Sequence, residues 1–512
     1  MAENLASFKV FCQGGLNTSR DVLSQGETQP GSAVALINYE PAVTGGYRKI
    51  NGFSNDYGTV TGTGNVLGVC VANGINDGIL ACRTPSSGNN YLHKWNSTTS
   101  AWDAVTTAGS PTMTGVTKVR FTKYNWGSPK VLLTDGINPA ATYDGTTYTQ
   151  ITHADAPTDP KYSHVYKNHM FLAGDPAEPT NLYFSAPYDE TSFAAADGAG
   201  VINVGFPVVA IKSFRDVLYI FGSNNIRKLV GDNISNFVLQ EVTDDLGCLA
   251  TDSVIEIGGD LLFLSQDGLR PISGTDKIGD VNLETVSKDI QSIFTDIVFD
   301  IDLEGLNAVV IRQKTQFRYF FAAADSQGII GGFRQTPNGL QFEYSQMLGI
   351  TATCSDSGYI GQNEYVIHGD SSGKVHRQEQ GNDFDGENIL SIFQTPFFHM
   401  QDPEQRKIFY TVATYLRSEG DNEIVMSAVY DYEDVDTLNP TNFNLSTTGA
   451  AAYYNEAIYN STAIYDGNPS PVQRTNISGS GKSASFRYVT NSSDASHSIQ
   501  GLVITFGVGD RL

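Results

Sequence analysis

The sequence predicts an all-β protein: a β-propeller core with an added C-terminal β-sandwich domain and few short helices. Three observations carry this expectation. Short, almost continuous apolar runs recur seven times, each followed by a turn of Asp, Asn, Gly or Ser and then a second short strand. Gly (51), Tyr (25) and Phe (27) are plentiful while charged residues make up only 17%, which is the usage of strand-and-turn proteins. After about residue 386 the texture changes to longer strands that alternate apolar and polar positions. At 512 residues the chain exceeds what one core organises. The expected division is an N-terminal arm with the first strands (1–60), a propeller (61–385) and a sandwich (386–512) with an extended loop at 440–480.

The apolar runs begin near Ile79, Val131, Met170, Val217, Leu261, Tyr319 and Tyr365, at separations of 52, 39, 47, 44, 58 and 46 residues. Four strands of five to six residues with their turns fill about 40–50 residues, the length of a propeller blade. Runs such as "VLYIF", apolar on both faces, suit strands packed between neighbouring blades. An irregular array of β-sandwiches would share the pattern without a fixed signature, and the spacing favours the propeller. "GTGNVLG" has GxGxxxG spacing and no helical pattern after it, so it reads as a turn and not as a dinucleotide loop. The best helix is "NLETVSKDIQSIFTDI", 282–297, with Leu283, Val286, Ile290, Ile293 and Phe294 on one face.

In the C-terminal part, "KIFYTVATYLRS" places Ile408, Tyr410, Val412, Thr414 and Leu416 on one side of a strand, and "NEIVMSAVYD", "SASFRYVTN" and "SIQGLVITFGV" continue in that style. Between them lies the polar, aromatic tract "YNEAIYNSTAIYDGNPSPVQ", read as a loop or extension.

The formal net charge of −23 argues against a surface that clamps phosphates by counterion release over most of the protein. Five scattered cysteines without a CxxC pair suggest neither a disulfide framework nor a zinc site, so free buried thiols are expected. The start, "MAENLASFKVF", lacks a basic stretch followed by an apolar one, and no run of about 18 apolar residues occurs to span a bilayer. A protein made and assembled in a cytoplasm, with no membrane-spanning segment, is the expectation.

No GxSxG, P-loop or HExxH pattern appears, and the eight histidines show no ligand spacing. No catalytic residue, no metal ligand and no cofactor is therefore expected. Carboxylate clusters at Asp383, Asp385 and Glu387, and at Asp431, Glu433, Asp434 and Asp436, read as solvated or lumen-lining charge. Three adjacent cation pairs stand out: Arg48-Lys49, Arg227-Lys228 and Arg406-Lys407. They read either as surface solubility or as charge-assisted contacts to carboxylates on a neighbouring element or subunit.

The opening "FCQGGLNTSRDVLSQGETQPGSAVALINYEPAVTGGYRKINGF" resembles the N-terminal arm of the tail nozzle proteins of short-tailed bacteriophages, also called tail tubular or packed-DNA stabilisation proteins. The elements of that likeness are Gly14 to Asn17, then Asn38, then Arg48-Lys49 with Gly52. "GGDLLFLSQDGLRPISG", followed by the helix with Ser287 and Ile290, is similar to the middle of those proteins. "FQTPFFHMQDPEQRKIFYTVATYL", "VYDYED" and the closing "IQGLVITFGVGDRL" are similar to their C-terminal β domain. The resemblance implies a homohexamer beneath the portal and adaptor rings in the virion tail, assembled in the cytoplasm of a host bacterium. It would meet the tail adaptor and tail fibre or spike proteins. Its lumen would pass phage DNA without sequence-specific binding, and a gate would hold the genome until ejection. On that basis Arg48 and Lys49 would anchor the arm to an acidic neighbour in the ring. Two other classes compete: a propeller glycoside hydrolase, and a carbohydrate-binding adhesin using tyrosines between 453 and 465, each acting on host surface polysaccharide.

Overall fold

The computed structural model describes residues 5–42, 45–86, 91–109, 111, 115–273, 285–300, 303–321, 327–336, 339–400, 402–434, 437–447 and 471–508. The chain is predominantly β, with a propeller arrangement at its centre. Six of the seven apolar runs form the second strand of an antiparallel meander, at Ile79–Thr84, Pro129–Thr134, His169–Ala173, Val217–Phe221, Asp260–Ser265 and Asn363–Gly369, and the run at Tyr319 overlaps the end of the corresponding strand of a seventh meander, Gln316–Phe320. A second strand has a partner on both edges and a neighbouring sheet on both faces. It is therefore the strand from which polar side chains are most fully excluded.

Six of these meanders are sheets of their own, the blades. The seventh, Asn307–Ile311 to Gly339–Leu348, is the first part of a nine-stranded sheet. Its first strand packs between the inner strands Ile255–Ile257 and Cys354–Ile360, so it fills the sector between the fifth and sixth blades. Cys354–Ile360 in turn packs on Thr63–Val71, the inner strand of the first blade, and the ring closes. "GTGNVLG" is not a turn: it lies in and beside that inner strand, which carries register shifts at Thr63/Val66 and Val66/Gly68. Such bulges admit glycines that a regular strand disfavours.

The last blade is completed from the other end of the chain. Phe53–Ser54 pairs with Val375–Gln378. Gly52 donates to the Gly381 carbonyl at 3.0 Å, and a Cβ on Gly52 would lie 1.7 Å from the Asp383 carbonyl oxygen. Only glycine lets the two backbones approach this closely.

Strand pairing crosses the expected segment boundaries at 60 and 386. The nine-stranded sheet runs from Gly339–Leu348 through Ala35–Ile37 to Ile389–Gln394, Ala484–Ser492, Glu423–Tyr430 and Phe443–Ser446. A seven-stranded sheet joins Leu5–Phe11, Tyr39–Pro41 and Tyr47–Lys49 to His497–Val508, with Lys407–Ser418, Val472–Asn476 and Ser480–Gly481 beyond. The two sheets share one core, which includes Tyr39, Tyr47, Phe393, Phe409, Tyr488 and Ile504. The N-terminal arm is thus built into the C-terminal layers. Part of the expected 440–480 loop is strand, and residues 448–470, with the tyrosine tract, lie outside the described residues.

The helix expected at 282–297 begins later, as a 3₁₀ turn at Lys288–Ile290 running into Gln291–Asp300. Val286 is held out of the helix because its N–H donates to the Leu269 carbonyl, while Ser287 Oγ accepts from the Leu269 N–H at 3.0 Å. These two bonds extend the fifth blade and set the point where the helix can start.

Candidate functional site

The inner strands of the propeller surround an axial cleft of about 390 Å³. Its charged lining comes from Lys118, Arg120 and Lys123 before and on the first strand of the second blade, Lys212 on that of the fourth, Asp252 in the turn before the fifth, and Asp356 on that of the last. Asp252 accepts from Arg120 through two bonds, Nε to Oδ1 at 3.0 Å and Nη2 to Oδ2 at 2.8 Å, and lies 2.7 Å from the Lys118 ammonium. Burial alone would raise the Asp252 pKa, but the two cations outweigh it and hold the carboxyl well below the usual range. Asp356 accepts from Lys123 at 2.7 Å and from the Val71 N–H at 2.8 Å. His164 is pushed down to about 3 by burial, with Lys212 adding to the effect, so it is a neutral imidazole whose Nε2 meets Ser213 Oγ at 2.8 Å.

None of the cations or carboxylates singled out from the sequence lines this cleft. The cleft residues nonetheless carry a signal in the sequence. In each case a polar or charged inner strand immediately precedes an apolar run: Arg120 and Lys123 precede the run at Val131, His164 that at Met170, and Lys212 that at Val217. Inner strands meet solvent along the axis, and second strands do not.

The cation pairs follow strand alternation, which sends adjacent residues to opposite faces. Lys49 and Lys407 are 0% and 1% exposed. Lys49 Nζ donates to the carbonyls of Ser492 (2.8 Å) and Asp494 (3.1 Å), and Lys407 Nζ to those of Asp402 and Lys482. Burial pushes Lys49 down to about 8, against the pull of Asp494 and Asp383, and lowers Lys407 as well. Both ammonium groups are inside the chain and out of reach of a neighbouring copy, which corrects the expectation that Lys49 anchors the arm to another subunit. Arg406, by contrast, is exposed and donates to Ser480 Oγ at 3.0 Å. Arg227 lies 3.7 Å from Asp244 and 3.9 Å from Glu241, and Lys228 is half-buried on the same strand.

Arg48 belongs to a larger network. Its guanidinium reaches Glu419 and Glu40, and Glu40 also accepts from Lys314 at 2.7 Å. Arg318, 0% exposed, donates to Gln378 at 2.8 Å and to Glu379, and Lys314 pairs with Glu379 as well. Three cations and three carboxylates thus join the N-terminal hairpin, the seventh meander, the last blade and the turn at 419. Near charge balance is what makes such burial tolerable.

The acidic clusters have structural roles where their partners are defined. Asp383 Oδ1 accepts from the Gly386 N–H at 2.7 Å, Asp385 pairs with Lys374 at 3.0 Å, and the Asp385 N–H donates to the Phe53 carbonyl, so this loop clasps the closing strand. Glu387 is exposed beside it. Asp431 Oδ1 accepts from the N–H groups of Lys482 (2.6 Å) and Ser483 (2.9 Å). Glu433 and Asp434 are exposed, and Asp436 lies outside the described residues.

The "GGLN" residues are joints between segments. Gly14 N–H donates to Glu343 Oε1, Gly15 N–H to the Tyr47 hydroxyl, and Asn17 Nδ2 to Asp289 Oδ1 at 3.0 Å. Asn38, in the left-handed region at φ 54°, donates to the carbonyls of Leu348 and Leu390 and accepts from the Leu348 N–H. It fastens the two parts of the nine-stranded sheet.

Among the described residues no group of three or more His, Cys, Asp or Glu could hold a metal ion, and no helix is long and apolar enough to cross a membrane. Comparison with protein-family models and with curated proteins finds no match to this chain.

Proposed function

We propose that the chain is the nozzle subunit of a short-tailed phage tail, a structural protein with no reaction of its own. Six copies form a ring on the adaptor, pass DNA through a common acidic lumen, and retain the packaged genome until ejection. The observation that supports this best is convergence. The three stretches similar to nozzle proteins are hundreds of residues apart, yet Cys12, Leu16 and Tyr39 of the first, Leu262, Leu269 and Ile290 of the second, and Phe398, Val412 and Leu502 of the third lie in a single hydrophobic cluster. They would constitute one body: a frame in which an N-terminal arm, a mid-chain blade and the C-terminal sheets are locked together. A high negative charge multiplied six-fold would repel the phosphate backbone and favour sliding over binding.

The glycosidase alternative needs a carboxyl that keeps its proton near neutrality. Asp252 in the axial cleft is held in the opposite state by Arg120 and Lys118.

The test is the particle mass of the purified protein, alone and mixed with the portal and adaptor proteins of the same virion, by light scattering with negative-stain imaging. A six-fold ring with a central channel, formed alone or on the adaptor, is expected. A monomer under both conditions overturns the proposal.

A further inference from the structure

The axial cleft departs from the electrostatics of the rest of the chain. Four cations line it, Lys118, Arg120, Lys123 and Lys212, against two carboxylates, Asp252 and Asp356, an excess of two positive charges in a protein of formal charge −23. The pairing inside the cleft is uneven. Asp252 is shared by Lys118 and Arg120, and Asp356 is taken by Lys123. The Lys212 ammonium has neither an ion pair nor a hydrogen bond among the described residues. Arg120 keeps Nη1 buried with no acceptor, although its other two nitrogens are satisfied by Asp252.

The Arg120 Nη1 N–H is buried without an acceptor, which is costly, while the partly exposed Lys212 ammonium faces the cleft without a counter-charge. The neighbouring groups do not supply one. His164 has its Nε2 against Ser213, and in the adjoining recess Glu256 is exposed while Arg312 lies 3.7 Å from Glu364. Burial lowers the Lys212 pKa and Lys123 lowers it further, with Glu256 and Asp356 acting weakly the other way, as expected for a cation facing a second cation. A dianion would neutralise the two excess charges and offer acceptor oxygens to Lys212.

We propose that the axial cleft is a binding site for a phosphate dianion, free or carried on a small ester, with the Lys212 ammonium as its anchoring donor. The cleft volume also admits a small organic group beyond the phosphate. Attraction by overall charge cannot account for such binding, because the protein as a whole repels anions.

Titration calorimetry of the full chain at fixed ionic strength tests this, with inorganic phosphate and ribose 5-phosphate as probes. Wild-type protein is expected to bind at least one of them with one site per chain. Lys212→Met should weaken that binding by about tenfold or more, as loss of a charge-assisted contact does. The exposed-site control Lys9→Met should leave it unchanged. Thermal melting without phosphate adds an independent readout: Lys212→Met removes an unpaired charge and should melt no lower than wild type. If that variant fails to fold, Lys212→Gln takes its place. Tighter binding of ribose 5-phosphate identifies an esterified phosphate as the ligand, and equal or tighter binding of inorganic phosphate identifies the free anion. Absence of binding by wild type at about 10 mM of either probe, a binding energy below roughly 3 kcal/mol, overturns the proposal. So does binding by the Lys212 variants within twofold of wild type. Neither outcome depends on whether the chain forms a ring.

Discussion

Arg48 and Glu419 form a bidentate pair across 371 residues of chain, with Nε donating to Oε1 and Nη2 to Oε2, each at 2.6 Å. The pair ties the N-terminal hairpin to the turn after Lys407–Ser418, and its strength depends on exposure. Glu419 is 42% exposed, so Glu419→Gln should cost only about 1 kcal/mol after solvent screening. Arg48→Met also removes a partner of the buried Glu40 and should cost more, about 2 kcal/mol. Charge reversal at both Arg48 and Lys49 places a carboxylate where Lys49 now donates to two backbone carbonyls, and should prevent folding of the monomer. Urea denaturation of each variant checks the order.

Arg318 is the most deeply placed cation of the network. Arg318→Met should destabilise by about 3–5 kcal/mol, because Glu379 loses one of its two cations while remaining buried. Adding Glu379→Gln should recover part of that loss, the coupling expected of groups in contact. A double-mutant cycle in urea measures it.

Gly52→Ala should destabilise by about 3 kcal/mol or more, since the new methyl would meet the Asp383 carbonyl oxygen and push the closing strand off the last blade. Hydrogen exchange should show the loss first at Phe53, whose N–H donates to that carbonyl.

Acid stability is set by buried imidazoles before it is set by carboxylates. His164, His368 and His497 are each pushed down to about 3, chiefly by burial, with Lys212, His376 and Lys49 respectively adding to it. Asn422 uses both its N–H groups on Ser418 and Gly420, so its Oδ1 accepts from His497 Nδ1, and Nε2 accepts from the Tyr39 hydroxyl at 2.9 Å. Below about pH 6.5 the unfolded chain takes up protons that these folded imidazoles refuse, so stability falls as pH drops toward 3. Each group contributes about 1.4 kcal/mol per pH unit well below 6.5. Asp252 and Asp370, whose folded pKa values are depressed, lose their contributions only as pH falls below about 4. Urea midpoints should therefore already decline between about pH 6 and 5, and His497→Gln should make that decline shallower.

All five thiols are free and buried, and burial raises each, Cys248 to about 11 and Cys12 and Cys354 to about 12. A disulfide-exchange reagent near pH 8 should find no reactive thiol in the native chain and five in urea. Any rapidly reacting thiol in the native protein would contradict the packing described for that cysteine.

Local patterns in the sequence determined a good deal. Six of the apolar runs mark second strands because exclusion of polar side chains from a doubly covered strand is written residue by residue, at Val217–Phe221 as at Asp260–Ser265, whereas Gln316–Phe320 buries Gln316 and Arg318 and is marked only at its end. The Arg-Lys pairs were visible in the same way. What they touch was not, because alternation says only that one of two neighbours turns inward, and Lys49 finds its carbonyls 443 and 445 residues away. The pairing of Leu5–Phe11 with His497–Val508 and the closure of the last blade by Phe53–Ser54 were likewise decided by tertiary structure alone. A strand edge carries the same N–H and C=O groups whatever its sequence, so periodicity cannot name its partner. The same holds for the axial cleft. Lys118, Arg120 and Lys123 come from one stretch, and Lys212, Asp252 and Asp356 from three others. Only the closing of the ring turns these separate polar inner strands into one cationic recess.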